Sequence, residues 1–189
     1  MSDRQIVLVF GLPAVGKTTL IGGFISHNPA WFRISGGDLI KQGMSEADRD
    51  SLRVQGIGQV EENQIVLINN FHKTLVNTPN KNILFDGHCL VNTGGKLYTI
   101  PTHVIQSISP NKIILLDADT PIIIARRLQD KLRPNREKET EEEVNKRRML
   151  SMNVCQTYGK ELDIPVIVLT NPSPEEFAFH LSQSPSLDL

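Results

Sequence analysis

Between the apolar run Ile6-Val7-Leu8-Val9-Phe10 and a helix-like stretch from Thr18 to Ile25 lies Gly11-Leu12-Pro13-Ala14-Val15-Gly16-Lys17-Thr18-Thr19. The pattern G-x-x-x-x-G-K-S/T, entered from a strand and left through a helix, describes a loop that holds a polyphosphate. Gly11 and Gly16 let the backbone, through Ala14, Val15 and on to Thr19, wrap close around the anion. Its N–H groups then point inward, and the helix that follows directs its positive end at the charge. Lys17 supplies a compact positive charge for the β- and γ-phosphates, and the Thr18 hydroxyl is a hard oxygen ligand suited to Mg²⁺. ATP and Mg²⁺ are therefore the expected ligands.

At 189 residues the chain suits a single α/β domain with a sizeable core. Twenty Lys and Arg residues against 21 acidic ones give no overall charge that would draw it to nucleic acid or an anionic membrane. No basic stripe with interleaved aromatics is present, so nucleic acid is not an expected partner. Cys89 and Cys155 lie far apart without a C-x-x-C spacing, as reduced thiols of a cytoplasmic protein would. The run from Ile6 to Phe10 passes straight into the phosphate loop, which argues against a cleaved signal, and no apolar run is long enough to span a bilayer. A monomer or small homo-oligomer is expected.

Further along, Trp31-Phe32-Arg33-Ile34-Ser35 reads as a short strand closed by Gly36-Gly37, with Asp38-Leu39-Ile40-Lys41 opening a helix. From Ser45 to Val76 the pattern is helical: Ile57, Val60, Gln64, Ile68, Phe71 and Leu75 recur at three- and four-residue steps, with Gly56 and Gly58 dividing the stretch in two. Trp31, His72 and this stripe are assigned to packing. Asn82 to Asp86 is a buried strand ending in a carboxylate, and Leu90-Val91 and Leu97-Tyr98 form a hairpin around Thr93-Gly94-Gly95. Lys112 to Asp117 is the fourth core strand. Thr120-Pro121 starts a helix through Leu128, Thr140-Glu141-Glu142-Glu143 is a capping box, and Pro165 to Leu169 is the fifth strand. Ser173-Pro174-Glu175-Glu176 opens a last helix to about Leu181. Five apolar strands alternating with helices predict a five-stranded parallel sheet covered by helices on both faces.

In such a sheet ligands bind beyond the carboxyl ends of the strands. The phosphate loop, Ser35 to Lys41, Asp86 to His88, Asp117 to Asp119 and Thr170-Asn171 all fall on that edge. Asp86 is placed to hold Mg²⁺, directly or through water, opposite the Thr18 hydroxyl.

With these residues the chain resembles the nucleoside monophosphate kinases, phosphate-loop enzymes, and most closely the archaeal type of adenylate kinase. Besides the loop, Ile34-Ser35-Gly36-Gly37-Asp38-Leu39-Ile40-Lys41 is similar to the acceptor-nucleotide motif S-T-G-D-x-L/I-R/K, and Asp86-Gly87-His88 to the start of the third-strand signature. Arg136 and Arg147 resemble the R-x-D-D…V-x-x-R stretch behind the lid. The resemblance covers nearly the whole chain and implies transfer of the γ-phosphoryl group of ATP·Mg²⁺ to a nucleoside monophosphate. It implies an acceptor-binding helical region at 36–77, where Ser35, Gly36, Asp38 and Lys41 meet the acceptor, a hairpin at 88–100, a short lid at 132–139 and a frayed tail at 182–189. Arg126 or Arg127 would line the ATP side, Arg136 and Arg147 would clamp the phosphates in transit beside Lys17 and Asp86, and Thr170, Asn171 and Pro172 would border the adenine.

Two departures bear on the acceptor. The arginine that many members carry soon after Asp-Gly is absent; His88-Cys89-Leu90 stands there, with His88 readable either as a ligand or as a hydrogen-bonder of the hairpin. Gly36 replaces a common threonine. The lid has no cysteine quartet, so no structural zinc is expected. Nine cations fall between Arg126 and Arg148, interleaved with six acidic residues, and the pairs Glu142–Lys146 and Glu143–Arg147 also fit a solvated helix face. Two other readings stay open: a phosphate-loop kinase of another small molecule or a nucleic-acid end, and a regulatory module that uses ATP as a switch. No N-K-x-D base-reading motif points to GTP.

Overall fold

The computed structural model describes residues 4–42, 57–78, 81–93, 96–130 and 139–183. Its centre is a sheet of five parallel strands: β1 (Ile6–Gly11), β2 (Trp31–Ser35), β3 (Asn82–Asp86), β6 (Lys112–Asp117) and β7 (Val166–Thr170), in the order β2-β3-β1-β6-β7. The three middle strands are almost wholly buried, because their Ile, Val and Leu runs are covered on both sides. Alternation sorts them. Ile6, Leu8, Phe10, Phe85, Ile113 and Leu115 face one core, while Val7, Val9, Leu84, Ile114 and Leu116 face the other.

Four helices carry side chains into the first core: α2 (Gly36–Gln42), α3 (Ile57–Asn77), α4 (Thr102–Ile108) and α6 (Glu141–Leu162). The second core takes α1 (Lys17–His27), α5 (Thr120–Leu128) and α7 (Pro174–Ser182), together with Val144 from the start of α6. Start signals read from the sequence have their physical partners. Thr140 and Glu143 form a reciprocal capping box at α6, with Glu143 N donating to Thr140 Oγ1 at 3.2 Å and Thr140 N donating to Glu143 at 2.7 Å. Ser173 caps α7 by accepting from Glu176 N, and prolines sit in the first turns of α5 and α7. A separate antiparallel hairpin, β4 (Leu90–Thr93) with β5 (Lys96–Thr99), stands beside the sheet.

The structure differs from the sequence expectations at identifiable places. Gly58 lies inside α3 rather than dividing it; Gly56 and the stretch from 43 lie outside the described residues, as does Gly94-Gly95 of the hairpin turn. Val60, Gln64 and Phe71 of the α3 stripe are buried, and Ile68 and Leu75 pack half-buried against the core as expected; Leu67, off the expected spacing, is buried too, and His72 is exposed, so it is not a core residue. Gly36-Gly37 begins α2 directly instead of forming a turn. Helix α4 has no counterpart in the sequence reading; at seven residues it is too short for a clear period, although Val104, Ile105 and Ile108 all reach the core. Trp31 packs edge-on against Phe24 of α1, ring centroids 5.6 Å apart.

Candidate active site

Register places the chemically notable residues on one edge. Ser35 pairs with Asp86, Val9 with Asp86, Gly11 with Leu116 and Asp117 with Thr170, so every strand delivers its last residue to the same rim. The loop from Gly11 to Lys17 crosses that rim. A Cβ at Gly11 would lie 2.6 Å from the Leu116 carbonyl oxygen, so only glycine fits the exit from β1. Gly16 has φ 100° and Ala14 φ 79°; an alanine held in the left-handed region stores strain of the kind found in ligand-gripping loops. No side chain caps α1, which starts at Lys17 directly from the loop, so the helix's positive end adjoins it. Thr18 and Thr19 are exposed at its start. The loop lines an open cleft of about 790 Å³, with Arg126, Asn171 and Pro172 on its far wall. Thr170 ends β7 beside it but is not among the lining residues.

Asp86 is the electrostatic centre. Lys17 Nζ forms an ion pair with its Oδ1, and Arg33 donates to Oδ2 from Nε at 3.1 Å and Nη2 at 2.6 Å. The carboxylate is 6% exposed. Burial pushes its pKa upward, but the charges and hydrogen bonds of Lys17 and Arg33 outweigh this and hold it below the ordinary carboxylate value. It is thus a buried anion. Thr18 and Asp86 are hard oxygen donors that fit Mg²⁺, and no cluster of three acidic, His or Cys side chains suited to a metal exists among the described residues. A metal there would draw the rest of its shell from phosphates and water, as Mg²⁺ commonly does.

Arg126 and Arg127 both reach the phosphate loop. Arg126 Nη1 donates to the Ala14 carbonyl and lines the cleft; Arg127 Nε donates to the Pro13 carbonyl, and its side chain is buried against Glu139. The cleft-facing cation is therefore Arg126. Arg147 does not pair with Glu143, which caps Thr140; its Nε lies 2.8 Å from Glu139, the carboxylate that also holds Arg127. The Glu142–Lys146 pair is present at 2.8 Å. Arg136 lies outside the described residues, as does the lid apart from Glu139.

In the stretch expected to meet an acceptor, Ser35 Oγ accepts from Asp38 N at 3.3 Å, and Lys41 Nζ is 3.8 Å from Asp38, both of them exposed. His88 is tied to the phosphate loop: its Nδ1 lies 3.0 Å from the Gly11 carbonyl oxygen, which can only accept, so that nitrogen donates. Behind it lies an apolar cavity of about 120 Å³ between β1, β3 and helices α2, α3 and α4, walled by Phe10, Leu67, Phe85 and Ile105, with Gly36 and Gln64 on its rim. A Cβ at Gly36 would stand 3.1 Å from Phe85 Cζ. A larger residue there would press on Phe85 and Leu67, so glycine in place of threonine leaves this end of the cavity uncrowded.

Two residues that the sequence did not single out belong to the site. Arg33 grips Asp86, and Arg148 grips Asp117 with Nε and Nη2. Arg33 alternates with Ile34 along β2 and so shares a face with Ser35, a usable signal; its partner depends on register, which a single sequence does not give. Arg148 was hidden in a run of nine cations.

The fold and this rim define a phosphate-loop protein of the kinase class. A family described as an AAA domain matches residues 10–145, and the chain belongs to that family. It is similar to the adenylate kinases of Pyrococcus horikoshii (28% identical over 172 residues, 88% of this chain and 86% of the relative) and Thermococcus onnurineus (29% over 173, with the same coverage). It is also similar to that of Methanothermobacter thermautotrophicus, 24% identical over 173 residues, 88% of this chain and 90% of the relative. The expected likeness to archaeal adenylate kinases is therefore found along most of the chain. Among solved structures, a shikimate kinase from Bacteroides thetaiotaomicron superposes with a TM-score of 0.58 at 13% identity, covering 95% of this chain and 97% of that one. A sugar kinase from Janibacter gives 0.52 at 13%, covering 95% and 92%. At that identity they share the fold alone. No helix among the described residues is long and apolar enough to cross a membrane.

Proposed function

We propose that the chain is an ATP·Mg²⁺-dependent nucleoside monophosphate kinase that uses AMP as its acceptor and yields ADP from both nucleotides. One observation carries the reading. Lys17, ion-paired with Asp86, lines an open cleft beside the phosphate loop, while Phe85 and Gly87, the chain neighbours of Asp86, line an apolar cavity, and His88 borders both spaces. The cleft suits a triphosphate and the cavity suits an acceptor's base. Similarity to proteins named adenylate kinase supports the same assignment.

On nucleotide binding Lys17 exchanges Asp86 for the β- and γ-phosphates, where its charge is needed. Thr18 and Asp86 would hold Mg²⁺, which when bound neutralises charge developing on the phosphate oxygens. Arg126 faces the same cleft. Arg147, with Arg136, completes a guanidinium clamp once Glu139 yields it, a change eased because Arg127 still neutralises that carboxylate. Lys41, only loosely paired with Asp38, is available to the acceptor phosphate. Asn171 and Pro172 border the adenine of ATP. Two buried free thiols suit a reducing compartment, and we place the reaction in the cytoplasm.

A panel of AMP, GMP, CMP, UMP and their deoxy forms with ATP·Mg²⁺ tests the reading. Diphosphate from AMP above all others supports it. A different acceptor is favoured by the lack of an arginine soon after Asp86-Gly87, where His88-Cys89-Leu90 stands and His88 is engaged with Gly11. Tight ATP binding with no transfer to any monophosphate would move the assignment to that alternative or to an ATP-dependent regulatory module.

A further inference from the structure

Arg33 lies on β2 with Trp31 and Ser35 on one face, the face on which Trp31 packs against α1; Ile34, between them, enters the opposite core. Its strand partner is Leu84, two residues before Asp86, and the side chain reaches along the sheet to that carboxylate. It is absent from the lining of the apolar acceptor cavity. Arg33 is therefore placed to act on Asp86, and both Asp86 oxygens are taken: Oδ2 by two N–H groups of Arg33, Oδ1 by Lys17.

Two cations on one carboxylate leave the cluster with a net positive charge. A free divalent cation arriving at the rim meets repulsion and finds each oxygen already held by a cation. A polyphosphate changes this in one step, because it takes Lys17 and brings compensating negative charge, which opens Oδ1 alone. Arg33 has no such call on it; a planar fork held by two hydrogen bonds stays on Oδ2 more readily than an ammonium group would.

We infer that Arg33 is a specificity-determining positioning residue that makes Asp86 a ligand for nucleotide-bound divalent metal and not for the free ion. It holds Oδ2, keeps the cluster positive until the nucleotide arrives, and leaves Oδ1 as the single oxygen presented to the metal. The inference rests on Asp86 as the metal-side carboxylate of the proposed kinase.

The test is Mn²⁺ binding, followed by the paramagnetic resonance of the free ion, with and without ATP and with no acceptor present. Wild type, Arg33→Met, Arg33→Lys and Asp86→Asn are compared. In the absence of nucleotide, Arg33→Met is expected to bind Mn²⁺ roughly three- to tenfold more tightly than wild type, the scale of one nearby charge at a partly exposed site. Arg33→Lys, which keeps the charge, stays near wild type. With ATP the gap between Arg33→Met and wild type narrows. Equal free-ion affinity in Arg33→Met and wild type overturns the inference, as does weaker binding in the variant. If Asp86→Asn leaves nucleotide-bound Mn²⁺ at wild-type affinity, the reading of Asp86 fails and the inference falls with it. If Asp86→Asn loses that affinity while Arg33→Met matches wild type, only the role of Arg33 is lost.

Discussion

Arg148 grips both carboxylate oxygens of Asp117, Nε on Oδ1 at 2.9 Å and Nη2 on Oδ2 at 2.7 Å. The fork ties α6 to the end of β6 at the residue whose carbonyl accepts from Asn171 N at 3.0 Å, so the helix that carries Arg147 is fixed to the loop after β7. Arg148 also donates to Thr120 Oγ1 at 3.0 Å, which draws in the start of α5. Arg148→Met should lower stability by about 1–3 kcal/mol, chiefly because Asp117 is left as a shielded charge without its partner. Urea denaturation would measure this. Arg148→Lys should restore only part of the loss, since an ammonium group cannot span both oxygens. A methionine variant as stable as wild type would contradict the assignment.

Asp86 contributes a defined pH dependence. Its carboxyl is held below the ordinary value near 3.8, so the folded state prefers the ionised form. The stabilisation is fully present above pH 3.8 and is lost as pH falls through the lower native value. Urea midpoints of wild type and Asp86→Asn should run parallel from neutral pH to about pH 4 and converge below it. Convergence that began near neutral pH would mean that Lys17 and Arg33 do not dominate the site.

Gly36 provides a check on the cavity proposed for the acceptor. Gly36→Thr restores the residue that the family resemblance leads one to expect, yet its Cβ would sit 3.1 Å from Phe85 Cζ and 3.4 Å from Leu67 Cδ1. The acceptor KM should rise several-fold while the ATP KM changes little, because the phosphate loop is untouched. A lower acceptor KM would show that the lost hydroxyl matters more than the space.

Much of this architecture can be read from the sequence because its signals are local. The capping box at Thr140, the prolines opening α5 and α7 and the glycine loop each specify geometry within a few residues, and the continuously apolar strands announce burial on both faces. The candidate site is legible in part: Lys17, Thr18 and Asp86 are singled out by a motif and a strand end. What the sequence hides are pairings between distant residues. Arg33 finds Asp86 through strand register, Arg147 takes Glu139 instead of its helical neighbour Glu143, and Arg126 is told from Arg127 only by the packing of α5 on the loop. Helix α4 escaped because seven residues give less than two full periods.

The central claim is phosphoryl transfer from ATP to AMP at the phosphate loop. The most direct measurement is quantitative nucleotide chromatography of ATP·Mg²⁺ with AMP, run with wild type and Lys17→Ala. The account predicts two ADP formed for each AMP consumed, and a rate that falls at least about a hundredfold in the variant, the scale for removing a charge that stabilises the transition state. AMP left unchanged while ATP is bound, or ATP converted only to ADP and orthophosphate, would contradict it.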